Sequence, residues 1–285
     1  MISKQQSKSA ASGTRREGQV ASGGRQGVEP RHRFLYQSNQ FFGECLPCTL
    51  AVFNSTVDSA QVAWKIATRQ EVGEAVASGQ PLDKWTLRTD FQQFCLKREA
   101  MPRAGESFMR LTTAEKLLQW TNSQKMSLPC FIFGASEFDL VPVTDKWDNP
   151  VLDGNGQQVM RRRRQLKGIH LSGLFMFDAD KLLTDPSEVF QRTQEPGFPW
   201  QVRLAHKTSS GHGLGLVCEL RTALGNIADN QICLARDLGL MGVLGSTGKP
   251  VVDDSCIDAS RISYAPRRED IYFLDEANLF NPNNV

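Results

Sequence analysis

The stretch Leu171-Ser-Gly-Leu-Phe-Met-Phe-Asp-Ala-Asp-Lys-Leu182 decides how the chain is read. Its apolar run, Leu171 to Phe177, has the length of a strand and delivers two aspartates, Asp178 and Asp180. Residues two apart on a strand project from the same face, so both carboxylates point the same way. Like charges so placed repel. A hard divalent cation removes the conflict, because Mg2+ or Mn2+ takes oxygen ligands and neighbouring carboxylates can bridge two ions. Alone, Asp-x-Asp is a short motif, and a strand end whose acids fray into water accounts for it equally well.

Toward the C-terminus, Asp185-Pro186-Ser-Glu188 predicts a helix start, with a cap, a proline in the first turn and a glutamate at the box position. Val202 to Ala205 and Leu214 to Leu220 predict two strands flanking the loop Thr208-Ser-Ser-Gly-His-Gly-Leu214. Glycines around His212 let that loop turn tightly and leave the imidazole and amides free to approach phosphate oxygens. The plain alternative is a flexible hairpin carrying a solvated histidine. Gly211, Gly213 and Gly215 lack dinucleotide-fold spacing and open no clear helix, which excludes a Rossmann site. Lys207 stands beside the loop, within reach of a phosphate. Asn226 to Leu238 predicts a helix closed by Gly239, and Ile271 to Leu274 a last strand. Between them, Asp253-Asp-Ser-Cys-Ile-Asp-Ala-Ser-Arg-Ile262 offers Asp258 at the edge of an apolar element, with Arg261 three residues on. These are a third carboxylate and a phosphate-neutralising arginine, or a solvated Asp-Arg pair.

Toward the N-terminus, Arg161 to Arg164 are a solvated charge run or a contact for a template backbone. Trp147 to Gly156 suggests a hairpin tip, and Pro129 to Phe133 a short strand. Thr112 and Glu115 form a capping box that opens a helix reaching about Trp120. Thr49-Leu-Ala-Val-Phe53 reads as a strand. Asp58, with Gln61 at the box position, reads as the N-cap of a helix through Val62, Trp64 and Ile66. Residues 1–32 form a tail too poor in apolar side chains to offset its ordering entropy, and it is expected to be disordered and mildly basic. Strands and helices alternate irregularly, with hairpin-like pairs, which points to an α+β or mixed-sheet fold and away from a regular doubly wound sheet.

The 285 residues allow a real core. A formal charge of only +2 excludes a whole-molecule basic field, so any nucleic-acid contact must come from local patches. No apolar run has membrane-spanning length, and the opening residues lack a signal-peptide pattern. Seven scattered cysteines fit reduced thiols, and the expected compartment is the cytoplasm. Cys45-Leu-Pro-Cys48 has zinc-ligand spacing but no second Cys/His pair follows, so no zinc is expected. Gly245-Ser-Thr-Gly-Lys-Pro250 imitates a phosphate loop, but the first glycine is missing and Pro250 replaces the Ser/Thr that meets Mg2+. A turn is expected there.

Order links the three chemistry-bearing elements. An acidic strand (Leu171 to Leu182), then Ser210-Gly211-His212, then Ile257-Asp258 resembles the three motifs of archaeo-eukaryotic primases. More narrowly, the chain resembles the primase-like domains, often labelled VirE N-terminal, of bacterial mobile-element proteins. Weaker matches extend back to Val52 to Thr56 and Leu128 to Phe133, so the resemblance spans most of the chain from about residue 48. It implies an RRM-like palm over residues 128–285 joined to an N-terminal α/β unit over 33–127. Asp178, Asp180 and Asp258 would then hold two Mg2+ or Mn2+ ions, and His212 with Ser210 would contact the incoming nucleotide's phosphates. Relatives near this group often carry another basic residue in place of His212. Partners implied are a single-stranded DNA template, NTPs or dNTPs, and a separate helicase.

The implied activity is metal-assisted attack of a 3′-hydroxyl on an α-phosphate, releasing pyrophosphate, in replication of a mobile element. A second possibility keeps the fold without the chemistry, as a nucleic-acid-binding module. A third, a metal-dependent nuclease, ranks lowest. A Toprim site wants a glutamate strand upstream, where Glu137 is the one candidate and lacks a following glycine. A relaxase wants paired histidines, and His206 and His212 stand too far apart.

Overall fold

In the computed structural model the described residues are 32–40, 44–101, 107–252 and 257–281. The expected tail therefore lies outside them, His32 excepted. Strand β1 (Leu35–Gln37) pairs with β2 (Leu46–Pro47), and the chain enters α1 (Leu50–Val57). The strand expected over Thr49 to Phe53 is thus the start of a helix. The Val52 N–H donates to Thr49 Oγ1 at 3.2 Å, while Phe53 and Val57, one turn apart, are buried. An N-cap followed by helical spacing outranks a short apolar run, which by itself does not separate strand from helix. Asp58 closes this helix rather than opening the next, and α2 (Ala60–Ser78) starts after Ser59. The Asp58 carboxylate instead receives Arg268 Nε at 2.9 Å.

Helices α3 (Asp83–Thr86) and α4 (Thr89–Ala100) lead to α5 (Thr113–Met126). The expected capping box is present: Glu115 N–H donates to Thr112 Oγ1 at 3.3 Å, and Thr112 N–H to Glu115 Oε2 at 2.8 Å. The helix runs on past Trp120 to Met126, and its Leu117 and Trp120 pack with Val72 and Ala75 of α2.

Next come β3 (Cys130–Ile132), β4 (Ala135–Phe138), β5 (Leu140–Pro142), β6 (Met160–Arg162), β7 (Ile169–Leu171) and β8 (Leu174–Ala179). The strand expected from Leu171 to Phe177 is broken at Ser172-Gly173. Gly173 takes φ +75, and Leu174 N–H donates back to Ser172 Oγ at 3.0 Å. The hairpin tip expected near Trp147 resolves into two successive turns. Asp145 accepts the amides of Trp147 and Asn149 at 2.8 and 3.0 Å, and Asp153 those of Asn155 and Gln157 at 2.8 and 2.9 Å.

The remainder is α6 (Pro186–Arg192), β9 (Val202–Lys207), β10 (Leu214–Glu219), α7 (Ile227–Asp237), β11 (Ser263–Tyr264), β12 (Ile271–Leu274) and α8 (Glu276–Leu279). The cap expected for α6 is in place at Asp185, Asn226 is the N-cap of α7, and Gly239, expected to close that helix, follows it at φ +67.

One four-stranded sheet has the order β12-β9-β10-β8 and another β11-β3-β1-β2, with every pairing antiparallel. Two short pairs, β4-β7 and β5-β6, complete the described strands. The fold is α+β, as expected. On one face of the first sheet, Phe175, Phe177, Leu214 and Leu216 pack with Leu234 of α7 and Val189 of α6. Its other face packs Leu174, Leu204 and Val217 against Phe34, Phe53 and Phe131. The acid strand β8 is an edge strand of the first sheet. No described helix is long and apolar enough to cross a membrane.

Candidate functional site

The acids are presented over a floor of glycines. Across the sheet, Asp178 is in register with Gly215 of β10, and Gly215 with His206 of β9. These three stand in one row on one sheet face. A Cβ on Gly215 would lie 2.6 Å from His206 Nε2, and one on Gly213 would lie 2.7 Å from Asp180 Oδ1. Side chains at either position would fill the space the acids and imidazole occupy. The backbone fixes Asp180 as well. Its N–H donates to Val251 O at 2.7 Å, and Leu182 N–H donates to His212 O at 2.8 Å. Lys181, between these anchors, adopts φ +57, a left-handed conformation unusual for a residue with a Cβ. The turn Gly245 to Pro250, expected from the sequence, packs behind it, with Ser246 N–H donating to Lys181 O at 3.1 Å.

Asp178 and Asp180 open into a cleft of about 490 Å³ whose walls carry Arg69, Lys125, Arg164, Lys181 and Arg261. Arg69 comes from α2 and Lys125 from the last turn of α5, whereas Arg164 and Arg261 come from the segments after β6 and before β11. Burial pushes the Arg69 pKa down, and the nearby Asp180 charge works against that. Lys125 is lowered by burial first and by the charge of Arg69 second, with Asp180 and Asp178 opposing. Its Nζ lies 4.9 Å from the centre of the Tyr264 ring. Two carboxylates among five cations make a cleft that attracts anions and offers oxygen ligands to a hard cation.

His206 forms part of the same wall. It is buried, burial pushes its pKa down, and the ring is neutral at pH 7. Nδ1 lies 3.0 Å from Lys207 O, so Nδ1 carries the proton and Nε2 faces Ser263 Oγ at 3.4 Å.

The other residues singled out from the sequence divide. Ser210 lines the cleft, with its Oγ 3.0 Å from Thr208 Oγ1. His212 does not line it, and holds the loop through its backbone, its N–H donating to Ser210 Oγ at 3.4 Å. Lys207 does not line it either. Strand alternation turns it away from His206 and toward Asp185, whose carboxyl is held low by the Ser187 hydroxyl and amide and further by Lys207. Arg261 is in the cleft. Asp258 lines the adjoining one, of about 300 Å³, with Arg164, Gln165, Leu166, Ser260 and Arg261. Among the described residues no three His, Cys, Asp or Glu side chains are grouped to hold a metal ion, so Asp258 does not join Asp178 and Asp180 as expected. Residues 253–256, the first part of that sequence element, lie outside the described residues. Two carboxylates in one cleft would still suit a hard cation, which takes oxygen ligands.

Arg69, Lys125 and His206 are the residues that motif spacing misses. A signal existed for two of them. Arg69 falls on the buried stripe of Val62, Ile66 and Val72, and Lys125 on that of Leu117 and Thr121. A cation on the apolar stripe of a helix needs a partner there. Comparisons with protein-family models, curated proteins and solved structures gave no match for this chain.

Proposed function

We propose that the protein is a primase-like nucleotidyltransferase that adds NTPs or dNTPs to a primer on a single-stranded DNA template. One observation carries this reading: the paired acids Asp178 and Asp180 open into the same cleft as Arg69, Lys125 and Arg261. In this reading the two carboxylates hold Mg2+ or Mn2+, which supplies charge neutralisation at the attacking and leaving oxygens. The three cations hold the β- and γ-phosphates, and Ser210 with its loop orients them. The primer 3′-hydroxyl gives up its proton to water as its oxygen bonds to the α-phosphorus, while the bond from the α-phosphorus to the α–β bridging oxygen breaks. Pyrophosphate leaves with its charge balanced by the cations.

Within the first sheet and its helices the order β8-α6-β9-β10-α7-β12 follows the β-α-β-β-α-β order of an RRM-like palm, with β11 inserted before β12 and paired into the other sheet, which supports the reading at the level of succession. The sheet differs in one place: β12 lies against β9, where an RRM sheet has its last strand against its first.

A second reading, a catalytically silent nucleotide- or nucleic-acid-binding module, is favoured by the placement of Asp258 in the neighbouring cleft. Incubation with single-stranded template, labelled nucleotides and Mg2+ or Mn2+ separates the two. Product that disappears in Asp178→Ala and Asp180→Ala supports the enzyme. Salt-sensitive DNA binding with no synthesis by the wild type supports the module. The nuclease reading has no such support. Glu137 is outside the cleft and receives Arg162 Nε and Nη2 at 2.9 and 2.6 Å.

A further inference from the structure

We propose that Asp258 is a positioning residue for Arg261 and not a metal ligand, and that it thereby governs phosphate affinity. The inference rests on the phosphate-binding reading of the cleft. Asp258 Oδ1 accepts the Ser260 N–H at 2.8 Å and the Ser260 hydroxyl, while the Asp258 carbonyl accepts the Arg261 N–H at 3.3 Å. A carboxylate that accepts an amide two residues on, together with a carbonyl that accepts the third amide, is the hydrogen-bond set of an Asx-stabilised turn. One carboxylate oxygen is thus committed to holding the backbone from which Arg261 projects.

What the turn presents is placed at a junction. Arg261 lines the acid-bearing cleft and also the adjoining one, and Arg164 is the other residue the two clefts share. Two guanidiniums bridging adjacent clefts suit a ligand whose phosphates run from one to the other, such as a polyphosphate or a nucleic-acid backbone. Asp258 lines the second cleft and not the one that Asp178 and Asp180 line, and the two arginines are common to both. A third metal carboxylate would have to share the cleft of the other two, and Asp258 lines the neighbouring one. Asp178 and Asp180 are then the two carboxylates that would hold a metal ion, and a ligand phosphate would supply further oxygen ligands.

The two roles make opposite demands on Asp258→Asn. Asparagine accepts the same turn hydrogen bonds through its amide oxygen but is a poor ligand for a hard cation. Inorganic triphosphate binding is measured by titration calorimetry, and Mn2+ binding by electron paramagnetic resonance. The set comprises wild type, Asp258→Asn, Asp258→Ala, Arg261→Gln and Asp180→Asn. Arg261→Gln is expected to weaken triphosphate about tenfold, the worth of one charge-assisted contact, and Asp258→Ala to follow it in direction. Asp258→Asn keeps wild-type triphosphate affinity. Both Asp258 variants keep wild-type Mn2+ binding, which Asp180→Asn lowers. Loss of Mn2+ binding in Asp258→Asn to the level of Asp180→Asn overturns the proposal. So does unchanged triphosphate affinity in Asp258→Ala alongside a weakened Arg261→Gln. A wild type that binds no triphosphate, or an Arg261→Gln variant that binds it as the wild type does, overturns the phosphate reading itself, a separate failure. Should the wild type bind no Mn2+ unaided, the triphosphate series alone decides.

Discussion

Gly213 lies directly under Asp180: a methyl group on the glycine would stand 2.7 Å from the carboxylate Oδ1, 2.5 Å from Thr208 Oγ1 and 2.8 Å from Ala179 O. The last contact is backbone of the acid strand and cannot swing aside. Gly213→Ala is therefore expected to cost about 1–3 kcal/mol, the usual range for overpacking, and to displace Asp180. Urea denaturation measures the first effect, and nucleotide incorporation or Mn2+ binding the second. A variant with wild-type stability and wild-type activity would mean that the glycine floor does not shape the site.

Lys125 sets stability against binding. Burial, then the charge of Arg69, lowers its pKa below the usual 10.5. In the window just under that value the unfolded chain binds more protons than the folded one, so stability rises with pH there. Replacing the ammonium with an isosteric apolar chain removes the burden. Lys125→Met is expected to raise Tm at pH 7 by about 2–4 °C per kcal/mol relieved and to flatten the alkaline slope. The same change is expected to weaken triphosphate binding about tenfold. Thermal melts at pH 7 and 10, with calorimetry, check both. A lower Tm would show the cation to be well compensated without ligand.

Arg33, fully buried, is ion-paired to Glu219, whose Oε1 also receives Arg203 Nε at 2.8 Å; Arg203 reaches Asp275 at 2.6 Å. Glu219→Ala leaves two guanidiniums facing each other and is expected to cost about 3–5 kcal/mol, read by urea denaturation. The network is also sensitive to acid. Burial raises the Asp275 pKa, but the bonds from Asn278 and Arg203 outweigh it and hold the carboxyl below the usual 3.8. Its contribution is complete above that pH and is lost as pH falls through the lower, folded value. Arg203→Met should remove part of the acid dependence in melts between pH 2 and 5, and an unchanged acid limb would contradict the assignment.

The cysteines give a chemical test of packing. Burial pushes Cys45 up to about 11 and Cys130 up to about 12, and raises Cys48 and Cys218 as well. Thiolate is the reactive form, so these four are expected to resist iodoacetamide at pH 8 in the native protein and to react after denaturation. Mass spectrometry after timed labelling reads this site by site. Rapid native labelling of Cys45 and Cys48 together would reopen the Cys-x-x-Cys pair as a metal or redox motif.

The sequence made the caps and the second half of the fold legible, because each signal there is local. Thr112 with Glu115, Asp185 with Pro186, and Asn226 all start helices where a side chain satisfies a backbone amide within three residues. Thr49 was the same kind of signal, obscured by the apolar residues after it. The acid pair was legible from alternation alone, and so was Ser210 from its loop. The partners of the acids were not. Arg69 and Lys125 lie far upstream in helices, and only the docking of α2 and α5 against the sheet brings them to Asp180. His212 and Asp258 show the limit of motif order. Both occupy the expected places along the chain, yet neither lines the cleft of Asp178 and Asp180: the His212 carbonyl accepts the Leu182 N–H, and the Asp258 carboxylate accepts the Ser260 N–H.

The separation between the acids on β8 and the cations on α2 and α5 has a kinetic consequence. The β8-β10-β9 hairpin pairings close over short stretches of chain, whereas joining Arg69 to Asp180 closes a loop of more than a hundred residues. Loop-closure entropy and the slow rate of non-local contacts place that joining late in folding. Before it, the acids are faced only by Arg164, Lys181 and Arg261; docking adds Arg69 and Lys125 and completes the positive wall. A chain thus acquires its full attraction for polyanions only once its helices have come home.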